Sequence, residues 1–134
     1  MDYFFKLDPE LNISFTRASG VLPVSQVIAG LKRLRADSAY KPTTHFFLDF
    51  RDVEEITGSL DDYEQIASLA VRMQSVENTK TVFLITENKP AIKRYVEGHA
   101  LMASQSNREY IIVQDTALES ALSKLGLESL PAGF

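Results

Sequence analysis

Asp49, Asp52, Thr57, Ser59 and Asp62 crowd carboxylates and hydroxyls into one stretch, LDFRDVEEITGSLDDYEQIASLA, residues 48–70. Carboxylates at the C-terminal ends of parallel strands sit where α/β sheets bind ligands, so Asp49 and Asp52 could hold Mg²⁺ or accept a proton. The structural alternative has Asp49 accepting backbone N–H bonds while Arg51 pairs with a nearby acid. No phosphate-binding glycine loop or second acidic motif accompanies them, which favours the structural alternative. Ser59-x-x-Asp62 has the spacing of a helix cap, with Asp61 and Asp62 placed to meet the positive end of the helix dipole. A phosphate on Ser59 would also meet free N–H groups there. Asp61, Asp62, Glu54 and Glu55 would repel it, so capping is the favoured role.

Other chemistry is sparse. His99 falls on the apolar stripe of a helix, where a histidine packs neutral more often than it catalyses. His45 begins a strand, and two histidines at unrelated spacing make no metal signature. The chain has no cysteine, which excludes thiolate metal sites and disulfides. No serine lies in a G-x-S-x-G elbow. The sequence therefore predicts no catalytic residue, metal or cofactor, and no enzyme activity.

The net charge is −4 over 134 residues. Lys32–Arg33–Arg35 and Lys93–Arg94 read as solvated helix faces rather than a nucleic-acid footprint. No segment approaches the ~20 apolar residues of a membrane span, and the N-terminus lacks a secretory pattern. A cytoplasmic protein without a membrane span is expected.

The elements that must position these residues follow from periodicity. Tyr3–Leu7 and Ile13–Ser19 read as a β-hairpin around Asp8-Pro9-Glu10. Val24, Val27, Ile28, Leu31 and Leu34 share one face of a helix over 23–37, with Pro23 in its first turn. Gly30 either weakens that helix or admits a close neighbour. His45–Phe50 and Thr81–Thr86 are apolar runs typical of strands covered on both faces. An acidic connection, Arg51–Gly58, leads from the first run to a helix over 61–76, whose stripe is Tyr63, Ile66, Ala67, Ala70 and Met73. Pro90 opens a helix to about Ser104, with Ile92, Tyr95, Val96, His99 and Met102 aligned. Tyr110–Val113 is a last strand and Asp115–Leu125 a last helix that Gly126 can end. The order β-β-α-β-α-β-α-β-α predicts a single α/β domain over 1–134, with about five strands. Its sheet is mixed, a parallel core with an antiparallel N-terminal strand.

The strand–loop–helix LDFRDVEEITGSL resembles the signature of STAS domains, the SpoIIAA-like anti-sigma-factor antagonists. Leu48, Asp49, Phe50, Val53, Ile56 and Ser59 match that signature without gaps, and the order of elements matches over most of the chain. In that family the serine at the Ser59 position is phosphorylated by a partner kinase, which releases a bound anti-sigma factor. Here the family's aspartate position holds Thr57, its first serine is Gly58 and its following glycine is Leu60. The resemblance implies a bacterial, non-catalytic regulatory or protein-interaction module. Its surface would be Asp49, Asp52, Thr57, Ser59 and Asp62, and its partner another protein or a second copy in a homodimer. Some SpoIIAA-like proteins are grouped with lipid-binding CRAL-TRIO domains, which implies as the alternative a carrier of a small apolar ligand.

Crossovers that all turn the same way would place the helices on one face of the sheet. The opposite face would then offer Phe4, Phe15, Phe46 or Phe47, and Phe83 to a ligand or partner. Alternatively, helices lie on both faces, or the hairpin and the tail LESLPAGF cover the second.

Overall fold

The computed structural model describes residues 2–73, 78–103 and 107–131. Five strands form one sheet in the order β1-β2-β3-β4-β5: Asp2–Asp8, Ile13–Pro23, His45–Thr57, Thr79–Ile85 and Arg108–Gln114. β1 runs antiparallel to β2, and the other pairs are parallel. The helices are α1 (Val24–Ala36), α2 (Leu60–Arg72), α3 (Pro90–Met102) and α4 (Leu118–Lys124), the last preceded by a 3-10 turn at Asp115–Ala117. The chain is thus the mixed α/β sheet that alternating periodicity predicts. None of the described helices is long and apolar enough to cross a membrane.

The hairpin turn is built as its residues require. Asp8 Oδ1 accepts the N–H groups of Glu10 and Leu11, each at 3.0 Å. Asn12 closes the turn at φ 56°, a left-handed value that Asn tolerates better than most residues.

Each parallel connection advances one strand in the same direction, so α1, α2 and α3 collect on one face. Val27, Ile28, Ile66, Leu69, Ile92 and Val96 from these helices pack there with Ala18, Phe50 and Phe83 of the sheet. The second face is covered as well. Ile13, Phe15, Phe47, Val82, Leu84 and Val113 lie beneath Ala121 and Leu122 of α4, with Leu125, Leu127 and Leu130 extending the cover. The beginning of the tail therefore does the covering that its apolar residues suggest; residues 132–134 lie outside the described part.

The three helices do not sit at one height. α1 lies against β1 and β2 and α3 against β3, β4 and β5, whereas α2 makes its closest backbone approaches to α1 and α3. Outer strands of a five-stranded sheet are separated by about 19 Å, four gaps of ~4.8 Å. Two helices of ~10 Å diameter fill that width. The third, α2, bridges them.

α1 approaches β1 through Gly30. A Cβ placed there would lie 2.5 Å from the Tyr3 ring, so the glycine admits a close neighbour. Gly30→Ala must displace that ring, and we expect a loss of about 1–3 kcal/mol in urea unfolding. Tyr3→Leu in the same chain should recover part of it, because the ring is then gone.

Candidate functional site

β3 is longer than its apolar run. It continues through Asp52–Thr57, pairing with Ser19–Pro23 of β2, while β4 pairs only with Phe46–Asp49. Arg51–Gly58 is therefore mostly strand rather than a loop. The acidic composition has a physical reason: this two-stranded extension projects beyond β4, and Asp52, Glu54 and Glu55 face solvent. Two register shifts place extra residues in β3 there, which increases its local twist.

The five polar candidates do not converge into one site; they close into separate small groups. Asp49 is buried, with Oδ1 accepting from the Arg51 N–H at 3.1 Å and its Nε at 3.0 Å, and Oδ2 from Nη2 at 2.8 Å. A buried carboxylate held this way is a structural pair with strong, charge-assisted bonds. Asp52 meets Arg17 at 3.3 Å on the surface, a pairing worth little in water. Thr57 ends β3 opposite Pro23. Ser59 Oγ accepts the Asp62 N–H at 3.1 Å, and Asp62 Oδ2 accepts the Ser59 N–H at 3.0 Å. That reciprocal pair is a capping box, satisfying two backbone donors at the start of α2.

Lys89 is a residue that sequence reasoning missed. Its Nζ donates to the carbonyls of Arg51 and Val53, each at 3.0 Å, and reaches Glu54 at 3.2 Å. Thr86 Oγ1 also donates to the Arg51 carbonyl. The edge that β3 exposes beyond β4 is thereby occupied, which blunts it against pairing with another chain. A lysine just before Pro90 carries no sequence signal for this role.

The aromatic candidates are divided between the two faces. Phe15 and Phe47 are fully buried under α4, with ring centroids 6.1 Å apart. Phe83 lies on the opposite face, edge-on to Phe50 at 5.7 Å and to His99 at 6.1 Å. Phe4 pairs with Arg17 in the sheet, and its side chain lies outside the described part. No single surface gathers Phe15, Phe47 and Phe83.

Open space occurs instead where α2 bridges its neighbours. A cavity of about 50 Å³ lies between the helices and the sheet, reached by Leu48, Phe83, Ile66, Met73, Tyr95, His99 and Tyr110 among others. Leu48, on the central strand and facing the helices, is only half-buried. Outside it, a groove of about 480 Å³ runs between α2 and α3, bordered by Glu54, Ile56, Leu60, Tyr63, Arg94 and Met102. Ile66, Tyr95 and His99 line both spaces, so these side chains form the wall between them.

His99 is the polar centre of that wall. Its ring stacks on Tyr95 at 6.4 Å and meets the edge of Tyr110 at 5.6 Å. Its Nδ1 is sealed from solvent and has no hydrogen-bond partner among the described residues. Burial lowers the imidazole from 6.5 to about 4, so it is neutral at pH 7. Ser14 Oγ, at the sheet side of the cavity, is likewise buried without a partner. Arg108 closes the cavity near the strand N-termini. Its guanidinium donates to the Thr44 carbonyl at 2.8 Å and the Lys80 carbonyl at 3.2 Å, and lies 3.9 Å over the Phe46 ring. His45 is not among the described residues lining this space: its Nδ1 accepts the Lys80 N–H at 3.0 Å, and burial together with the nearby Arg108 and Lys80 charges lowers its pKa. Helical spacing located His99 on the face turned to the sheet, but nothing in the sequence signals the gap beside it.

No family model matches the chain, and no curated protein matches it either.

Two expectations follow. Ser59→Ala should lower unfolding stability by ~1 kcal/mol, whereas Ser59→Asp should lose less because an aspartate also caps a helix; urea titration of both variants checks this. The second concerns pH. His99 binds its proton more weakly folded than unfolded, so its contribution is full above pH 6.5 and falls away toward pH 4, where it levels off. Replacing His99 by Phe should flatten the acid side of the stability profile by at most about 3 kcal/mol across that window.

Proposed function

We propose that the chain is a non-catalytic binding module that carries a small apolar or amphipathic molecule in the space between α2 and α3. The observation that carries this reading is the paired space on either side of His99. A groove of about 480 Å³ outside is within the usual ~300–1,000 Å³ of ligand sites. The inner cavity of about 50 Å³ is too small for a whole ligand of that class. It can receive one end of a molecule seated in the groove.

The lining supports the same reading. Ile56, Leu60, Tyr63 and Ile66 offer apolar area on one side of the groove, and Tyr95 and Met102 on the other. Ser14 and His99 line the inner space, and Ser14 Oγ and His99 Nδ1 are buried without a partner among the described residues. Such atoms are rare in native interiors, and a bound group is one way to satisfy them. Tyr95 and His99 are both held neutral by burial, which raises the phenol and lowers the imidazole. Neither supplies a charge to pair with an ionic ligand there.

The protein-interaction role implied by the STAS-like signature is the second reading. Its support is the exposure of Leu60 (68%) and Met102 (43%), which both line the groove. Apolar side chains along a groove rim suit a protein partner or a second copy in a homodimer. The phosphoserine switch receives no such support, because the Ser59 oxygen already accepts a capping bond.

Native mass spectrometry of freshly purified protein separates the two readings. Carriage predicts a monomer with an extra mass, released by organic solvent. A clean dimer without added mass would favour the interaction module and overturn carriage.

A further inference from the structure

We propose that the α2–α3 site selects a neutral, ring-bearing alcohol or phenol, whose hydroxyl bonds His99 Nδ1 while its ring lies among the aromatic side chains around that histidine. The inference rests on the carrier reading and adds the chemical class of the cargo. Its starting point is a polar atom in the wrong place. His99 Nδ1 is closed off from water and lacks a partner among the described residues, and the His99 side chain lines both the groove and the cavity. Leaving a buried nitrogen unbonded is unfavourable, and a ligand group that bonds it recovers that loss.

The surroundings restrict what the group can be. The rings of Phe83, Tyr95 and Tyr110 flank the imidazole with centroids at 6.1, 6.4 and 5.6 Å, and Tyr63 meets Tyr95 at 5.6 Å. Such a surround offers both ring faces and ring edges, which suits a flat ring better than a flexible chain. Charge is disfavoured on either sign. The imidazole is uncharged at neutral pH, so it gives no counter-ion to a carboxylate, and an ion without one is costly to bury. At the groove rim, Glu54 is paired with Lys89, and Glu55 and Arg94 carry opposite signs, so the rim presents no single charge to select an ion. Among the described residues Arg108 is the one cation lining the inner cavity, and it is engaged by the Thr44 and Lys80 carbonyls and the Phe46 ring. A hydroxyl fits an imidazole nitrogen in either tautomer, because it can donate or accept.

The chain has five tyrosines and no tryptophan, so tyrosine fluorescence reports on binding beside Tyr63, Tyr95 and Tyr110. The test is a titration of the full chain with naphthalene, 1-naphthol and 1-naphthoate, each in wild type and in His99→Phe. One neutral hydrogen bond predicts 1-naphthol binding roughly three- to tenfold tighter than naphthalene in wild type. His99→Phe keeps the ring but removes the nitrogen, so it should hold naphthalene and lose the preference. The imidazole ¹⁵N signals of His99 in wild type give a reading independent of the variant's folding. They should move on adding 1-naphthol and stay with naphthalene. Equal binding of naphthalene and 1-naphthol, or unmoved ¹⁵N signals, would overturn the hydroxyl contact while leaving carriage standing. Tighter binding of 1-naphthoate would overturn the neutral class in favour of an anion held by Arg108. Failure of all three probes to bind would overturn the carrier reading itself.

Discussion

The constraint on which the rest of the structure depends is the strand order. Because β2 to β5 are parallel and added one after another, every crossover turns to the same face. Three helices must then share a sheet about 19 Å wide between its outer strands. Two can lie on it. α1 takes the β1–β2 side, α3 takes the β3–β5 side, and α2 spans the gap between them. The half-buried Leu48, the cavity beneath α2 and the groove beside it are consequences of this layout. The same strand order leaves the second face to the C-terminal helix, which explains why α4 and Leu127 and Leu130 pack on Phe15 and Phe47.

Much of this fold is legible in the sequence. A hairpin pattern, short apolar runs and the 3.6 period together give all five strands and the four helices, because each reflects faces turned to a core. Gly30 and Ser59 are legible too, since a glycine in a helix and a serine before acidic residues each have a specific local cause. The extension of β3 is not. Among residues 52–57, which pair in the sheet on one side only, Val53 alone is buried and Asp52, Glu54 and Glu55 face solvent, so burial wrote no continuous apolar run into them. The division of Phe15 and Phe47 from Phe83 depends on strand parity: register pairs Phe15 with Phe47, and Leu48 with Phe83, so adjacent positions point to opposite faces.

The candidate site shows the same limit more sharply. Asp49, Asp52, Ser59 and Asp62 are close in sequence and chemically suggestive, yet each is matched to a local partner, and Asp49 and Ser59 both serve backbone geometry. The space lies one helix turn away, at the underside of α2, whose stripe includes Ile66, Ala70 and Met73. A hydrophobic stripe states which side of a helix faces inward; it does not state how far the helix stands from the sheet. That height is set by the widths of neighbouring elements, a tertiary quantity absent from any single segment.

The energetics of the gap point the same way as its shape. An interior designed only for stability would lower α2 or enlarge a side chain beneath it, since voids and unpaired polar atoms both destabilise. Here a histidine and a serine, each with a polar atom unpartnered among the described residues, border the same cavity. Leucine at position 99 would remove the orphan nitrogen, with similar volume. Elsewhere the polar groups are tightly matched: the Asp49–Arg51 pair is bonded through three atoms, and Lys89 occupies two carbonyls on the edge of β3. That consistency lapses at Ser14 and His99. Departures of that kind concentrate at functional sites, which is the physical ground for placing the proposed ligand there rather than at the serine that caps α2.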